Sequence, residues 1–158
     1  MKPISDTLST MLNHQIAHEM GNELLYRQIA SYAHNLGLKG IEGYFSSQAD
    51  GERDHASWIR DILHDANIQI AVPIVPSKPS VFSSCDEIAQ LYVETEAATT
   101  DALEMISKQA DSEYDIGVQD LMQKMLREQT EEEGSADRFL ALAQLAQGDM
   151  IKLDLAMR

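Results

Sequence analysis

The 158-residue sequence has one cysteine, Cys85, one tryptophan, four prolines and no apolar run long enough to cross a membrane. A single cysteine cannot form an intrachain disulfide. The first six residues also lack the apolar stretch of a signal peptide. These absences predict a cytoplasmic protein that does not span a membrane.

Positive charge is also scarce. The chain has 12 Lys and Arg against 26 Asp and Glu, a net charge of -14. Phosphate backbones and anionic lipid surfaces would be repelled by this charge, whereas cations would be concentrated near the surface. The composition therefore excludes nucleic acid and membranes as expected partners and favours cations.

Three of the four prolines lie within residues 73–79, which leaves the rest of the chain free to form long helices. Apolar residues recur there at steps of three and four, the period of amphipathic helices. The irregular segment 67–85 is long enough to travel the length of a bundle, so the third helix would run parallel to the second. The prediction is an all-α four-helix bundle, a single domain over residues 1–158, with helices at about 5–36, 41–66, 85–110 and 116–146 and a short fifth helix at 149–157.

A Glu-x-x-His pair, Glu52 and His55, lies in the middle of the second predicted helix. Residues three apart share a helix face, so the carboxylate and the imidazole can reach one metal ion. Their face is otherwise largely apolar and includes Phe45, Ile59 and Ile62. Because burial of ionisable groups is costly unless they are paired or bound to metal, the pair suggests a metal site.

Each of the other three long helices also carries one carboxylate in its apolar stripe, namely Glu19, Glu96 and Glu132. All lie near the middle of their helices, so in a bundle they converge. Buried carboxylates this close would repel one another strongly even at an effective dielectric constant of about 20, and cations must neutralise them. Oxygen ligands with one imidazole suit iron or manganese.

The residues predict two metal positions that share Glu52 as a bridge. The first would use Glu19, Glu52 and His55, and the second Glu52, Glu96 and Glu132. Any one of these features has a simpler explanation, because an isolated Glu-x-x-His is common on solvated helices. The occurrence of one such carboxylate on each of four helices favours the metal site.

Two further side chains belong to this hypothesis. Gln129, one turn before Glu132, would be a hydrogen-bonding partner or a weak ligand. Tyr26, one turn beyond Glu23 on the first helix, would be either an ordinary core aromatic or a redox participant. The residues alone leave both questions open.

Together these features resemble the non-haem, bacterial-type ferritins, and the resemblance covers nearly the whole chain. It is carried by Leu12-Asn13-His14-Gln15 followed by Glu19 and Tyr26, by Glu52-x-x-His55, by Glu96, and by the run Glu128-Gln129-Thr130-Glu131-Glu132-Glu133. The resemblance implies a ferroxidase that oxidises Fe(II) with O2 or H2O2 at a di-iron centre. It also implies storage of the Fe(III) mineral inside a homo-oligomeric cage of 24 subunits.

By position, the resemblance implies the same two iron sites and places Gln129 and Tyr26 beside them. It also implies a third iron site at Glu128 and Glu131. The family's glutamate immediately before Glu52 is replaced here by Gly51, which predicts a third site that is weaker or lost.

Haem is not expected, because Arg53 occupies the position of the haem-ligating methionine of bacterioferritins. Two other functions remain open from the residues. One is binding of divalent metal without fast oxidation, and the other is a four-helix interaction module that binds no metal.

Overall fold

Five helices account for most of the chain in the computed structural model, which describes residues 3–158. Residues 1 and 2, the start of the predicted domain, lie outside the described part. The bundle with a long crossover and a short fifth helix is confirmed. No helix in the described part of the chain combines the length and apolar character that a membrane crossing requires. The helices are α1 (Asp6–Asn35), α2 (Lys39–Asp65), α3 (Cys85–Ser112), α4 (Ile116–Ala146) and α5 (Met150–Ala156).

The ends of most helices form where the sequence supplies capping groups. Ser5, Ser84 and Asp115 each accept, through a side-chain oxygen, a hydrogen bond from the backbone N–H three residues later, at 3.1 Å. Gly37 follows α1 with φ = 75°, a conformation that glycine adopts without strain. The third helix continues to Ser112, two residues past its predicted end.

The start of α2 depends on the other end of the chain. This helix begins at Lys39, two residues before the predicted position. Oδ1 of Asp154, in α5, accepts hydrogen bonds from the backbone N–H of Gly40 at 2.6 Å and of Ile41 at 3.0 Å. Oδ2 of the same carboxylate binds Arg158 at 3.0 Å. A side chain at position 40 would collide with the Asp154 carbonyl oxygen, so glycine allows α5 to lie close enough to cap α2.

The core of the bundle is divided into two hydrophobic clusters. The aromatic cluster includes Tyr26, Phe45, Ala49, Tyr92, Ala136 and Phe139. The aliphatic cluster includes Leu12, Ile16, Ala56, Ile59, Leu103, Met122 and Met125.

The order in which each helix passes through these clusters gives the topology. Helices α1 and α4 run from the aliphatic to the aromatic cluster, whereas α2 and α3 run in the opposite direction. Parallel α2 and α3 require a connection along the whole bundle, and the irregular segment 67–84 provides it. On each of the four long helices, the predicted metal-binding carboxylate lies between the two clusters. The bundle therefore contains one polar layer near its middle.

Candidate metal centre

The polar layer contains the side chains that the sequence singles out. Glu19, Glu52 and Glu96 are at most 2% exposed, and His55 is 4% exposed. The Glu132 side chain is 20% exposed and lies at the edge of the layer. Four carboxylates and an imidazole thus lie in one layer between the two hydrophobic clusters.

Three of these groups are close enough to bind one ion. Donor atoms of Glu19, Glu52 and His55 lie within 4.8 Å of one another, and this is the only such group of His, Cys, Asp or Glu among the described residues. Nδ1 of His55 is 3.5 Å from Oε2 of Glu52. The spacing of Glu52 and His55 on α2 places both donors beside Glu19 of α1, which packs against α2.

Several carboxylate oxygens in the layer lack a hydrogen-bond partner. Four buried side-chain oxygens are unpartnered in the described part of the chain, and three of them are Oε2 of Glu19, Oε2 of Glu52 and Oε2 of Glu132. An unpartnered buried oxygen is costly, and a bound cation removes that cost. The donor set of carboxylates and one imidazole fits iron or manganese.

Glu96 differs from the other carboxylates because both of its oxygens have partners. The Tyr26 hydroxyl donates to Oε1, and Nε2 of Gln129 donates to Oε2 at 2.6 Å and to the Glu96 carbonyl oxygen at 3.1 Å. Gln129 therefore contacts the centre through its amide nitrogen. Each of these oxygens has a second lone pair, so Glu96 could bind an ion while it keeps both hydrogen bonds.

Glu132 reaches the layer from α4, next to an open pocket. Its Oε1 is 3.6 Å from Nε2 of His55, and Oε2 of Glu128 lies at the same distance from that nitrogen. Glu128, Glu131 and Gly51 all line the pocket. A Cβ at position 51 would lie 3.9 Å from Oε1 of Glu132, so a carboxylate there would extend into the pocket, and glycine leaves it without that ligand.

Burial raises the pKa of all four carboxyl groups in the layer. Burial, followed by the negative charge of Glu52, raises the pKa of Glu19 well above its usual value. Burial likewise raises the pKa of Glu52 and the pKa of Glu96. Burial, with the charges of Glu96 and Glu19, raises the pKa of Glu132 to about 8. Burial and the charge of Glu96 raise the pKa of Tyr26, which therefore stays a hydrogen-bond donor.

Two polar side chains next to the centre were not assigned a role from the sequence. Gln15 is buried, and its Nε2 donates to Oε1 of Glu19 at 2.7 Å. Asn22 is buried on the other side of Glu19 and donates to Oγ1 of Thr99 at 3.0 Å. Both lie about one turn from Glu19, so the rule that identified the carboxylates, a polar residue inside an apolar stripe, could have found them.

Comparison with known proteins agrees with this architecture. The sequence profile described as "Ferritin-like domain" matches residues 9–146. Ferritin BfrB of Mycobacterium tuberculosis is 27% identical over 144 residues, which span 91% of this chain and 80% of that protein. A bacterial non-heme ferritin of Bacteroides fragilis is 26% identical over 133 residues, 84% of each chain.

Solved structures give the same result. An open-pore ferritin from the hyperthermophilic archaeon Archaeoglobus fulgidus superposes with a TM-score of 0.93 at 28% identity, covering 99% of this chain and 98% of that one. A structure titled "Humanized Archaeal ferritin" superposes with a TM-score of 0.91 at 27% identity over 98% of this chain and 95% of its own. The chain belongs to the ferritin family.

Proposed function

We propose that this protein is an iron-storage ferritin with ferroxidase activity. Fe(II) would be oxidised at a di-iron centre within each subunit, and the Fe(III) product would be stored as mineral in a homo-oligomeric cage of 24 subunits. The observation that carries the proposal is the set of unpartnered oxygens on Glu19, Glu52 and Glu132, which lie beside His55 in a layer enclosed by apolar clusters.

The chemistry follows from the ligands. Glu19, Glu52 and His55 would hold one Fe(II), and Glu52, Glu96 and Glu132 the other. Each ion would give up one electron, and with two protons the pair would reduce one O2 to H2O2 or one H2O2 to water. Anionic oxygen ligands stabilise Fe(III) more than Fe(II), which makes oxidation more favourable.

Protons are part of the same reaction. Because burial raises the pKa of Glu19 and Glu52, Fe(II) competes with protons for these carboxyl groups when it binds. Tyr26 and Gln129 each donate a hydrogen bond to Glu96, one to each carboxylate oxygen. We therefore propose that Tyr26 and Gln129 position Glu96.

Assembly into a cage is supported by family membership and by the surface of the subunit. Large apolar side chains are exposed on the crossover, with Ile74 at 93% and Val81 at 78%, and on α4, with Leu145 at 78%. Contact with neighbouring copies would bury such groups.

Rapid mixing with Fe(II) in aerobic buffer tests the proposed activity. We expect the metal-free protein to produce a ferric absorbance within the first second, well ahead of the slow oxidation in buffer alone, because the centre holds two ions together. A protein that binds Fe(II) but oxidises it no faster than buffer does would instead be the divalent-metal-binding protein without fast ferroxidase activity.

Anaerobic Fe(II) titration by calorimetry tests the third site. We expect two ions to bind tightly per chain, because the pocket lined by Glu128 and Glu131 lacks a carboxylate at position 51. Gly51→Glu should add a third tight ion, and it serves as the matched comparison. Three tight ions in the unsubstituted protein would show that Glu128 and Glu131 suffice without a ligand from position 51.

A further inference from the structure

Two histidines on α1, His14 and His18, take no part in the polar layer. They are four residues apart on one helix, so their imidazoles project from the same face on successive turns. This is the spacing at which two helical histidines hold one metal ion in zinc enzymes. His14 is exposed and His18 is partly buried, so an ion could reach them from solvent.

Both imidazoles line a groove between α1 and α3. Its other lining residues include Gln15 of α1 and the thioethers Met11 and Met105, one from each helix. Gln15 also donates to Glu19, so it separates the groove from the polar layer. The groove therefore offers nitrogen and sulfur donors, whereas the di-iron centre offers mainly carboxylate oxygen.

The hydrogen bonds around Thr99 determine which nitrogen of His18 is available. The Thr99 hydroxyl donates to the carbonyl oxygen of Thr95 at 3.0 Å. It also accepts from Asn22 at 3.0 Å and lies 2.8 Å from Nε2 of His18. In the arrangement in which the hydroxyl hydrogen goes to the Thr95 carbonyl, the hydroxyl accepts from His18 and Nε2 carries the proton. In the neutral ring, Nδ1 then keeps its lone pair, as in metal sites where a second hydrogen bond orients the imidazole.

A positive charge beside His18 restricts where an ion can lie. Lys78 of the crossover lines a second groove, on the other side of α1, together with His14 and His18. Its ammonium group would repel a cation there. Met11 and Met105 are on the opposite side, in the groove beside α3, so an ion held by the two histidines would lie on the α3 side.

We propose that His14 and His18 form a second metal site in the α1–α3 groove, for a late first-row transition-metal ion bound by imidazole. Copper(II) binds such nitrogen ligands most strongly in the divalent series, followed by nickel and zinc, while Fe(II) and Mn(II) bind weakly. The thioethers of Met11 and Met105 add soft donors within the same groove. This site would be chemically distinct from the carboxylate centre and would not depend on iron oxidation.

Copper(II) titration of the metal-free protein tests the site. We expect one bound Cu(II) per chain whose pulsed electron paramagnetic resonance spectrum shows two coordinated imidazole nitrogens. His14→Ala should weaken that ion's binding by roughly tenfold or more, since a direct ligand is lost. The polar layer contains only one histidine, His55, so copper bound there would show a single imidazole nitrogen.

His64→Ala is the matched control, because His64 is an exposed histidine on α2. It should leave the two-nitrogen spectrum and the affinity unchanged. His18→Ala should weaken the binding of the same copper ion as His14→Ala does. Unchanged copper binding in His14→Ala, or an equal loss in His64→Ala, would overturn the proposal. Since His14 is exposed, circular dichroism should show an unchanged helical content in that variant.

Discussion

Glu52→Ala is expected to reduce the fast phase of Fe(II) oxidation by at least roughly 100-fold, a larger effect than that of any other single ligand. Glu52 lies between the two proposed iron positions and is the only side chain assigned to both. Its removal would leave His55 and Glu19 at one position and two carboxylates at the other. Without the bridge, the two sets would no longer hold their Fe(II) ions close enough to deliver two electrons together. The measurement is stopped-flow absorbance after mixing with aerobic Fe(II).

The matched control is Asp54→Ala, which removes a carboxylate from the exposed face of the same helix. It should oxidise Fe(II) at the unsubstituted rate, because Asp54 lies outside the polar layer. Anaerobic Fe(II) titration of Glu52→Ala should also show the loss of tight binding. A fast phase that survives in Glu52→Ala would mean that the bridge has been assigned to the wrong residue.

The second large effect is a fall in the stability of the metal-free protein as the pH rises. Burial raises the pKa of Glu19, Glu52 and Glu96, and the pKa of Glu132 is raised to about 8. An unfolded glutamate titrates near pH 4.3. Between that pH and about 8, folded Glu132 therefore holds a proton that the unfolded chain has lost, so its contribution to the free energy of unfolding decreases as the pH rises. The raised pKa values of the other three carboxyl groups act in the same direction. For Glu132 alone the rise in pKa corresponds to on the order of 3 to 5 kcal/mol.

Bound metal should reverse this trend. A divalent ion competes with protons for the carboxylates, so its stabilising effect grows as the pH rises. We expect the thermal midpoint of the metal-free protein to be lower at pH 8 than at pH 6. Added Mn(II), which avoids oxidation chemistry, should raise the midpoint more at pH 8.

Glu52→Gln provides the comparison for this experiment. The amide is close in size to the carboxyl group but cannot ionise, so the variant should lose less stability over the same pH range. Equal decreases in Glu52→Gln and in the unsubstituted protein would show that other groups cause the pH dependence. A metal-free protein that is more stable at pH 8 than at pH 6 would contradict the raised pKa values themselves.

The main features of the fold were predictable because each has a local cause. The three prolines within residues 73–79 exclude a helix from that segment, and apolar periodicity predicts the helices on either side of it. The length of segment 67–84 allows it to cross the bundle. The same local pattern identifies Glu19, Glu52, Glu96 and Glu132, since each interrupts an apolar stripe. Their convergence follows from helix direction alone.

Other features depend on contacts between distant parts of the chain. The sequence of α2 gives no reason for the helix to begin at Lys39, because the capping carboxylate belongs to Asp154. Nor does the position of Glu96 reveal that Tyr26 and Gln129 occupy both of its oxygens. These hydrogen bonds follow from side-chain conformations in the assembled bundle, about which helical periodicity carries no information.

The contact between Asp154 and the start of α2 makes the tail of the protein part of the support for the proposed metal centre. Leu38, which precedes α2, offers no side-chain cap, so without α5 the N–H groups of Gly40 and Ile41 would lose their partner. Helix α2 supplies both Glu52 and His55. Deleting the last nine residues would therefore remove the capping hydrogen bonds at the N-terminal end of α2, the helix on which the proposed chemistry depends. In engineered versions, a cargo peptide is better attached elsewhere than in place of this tail.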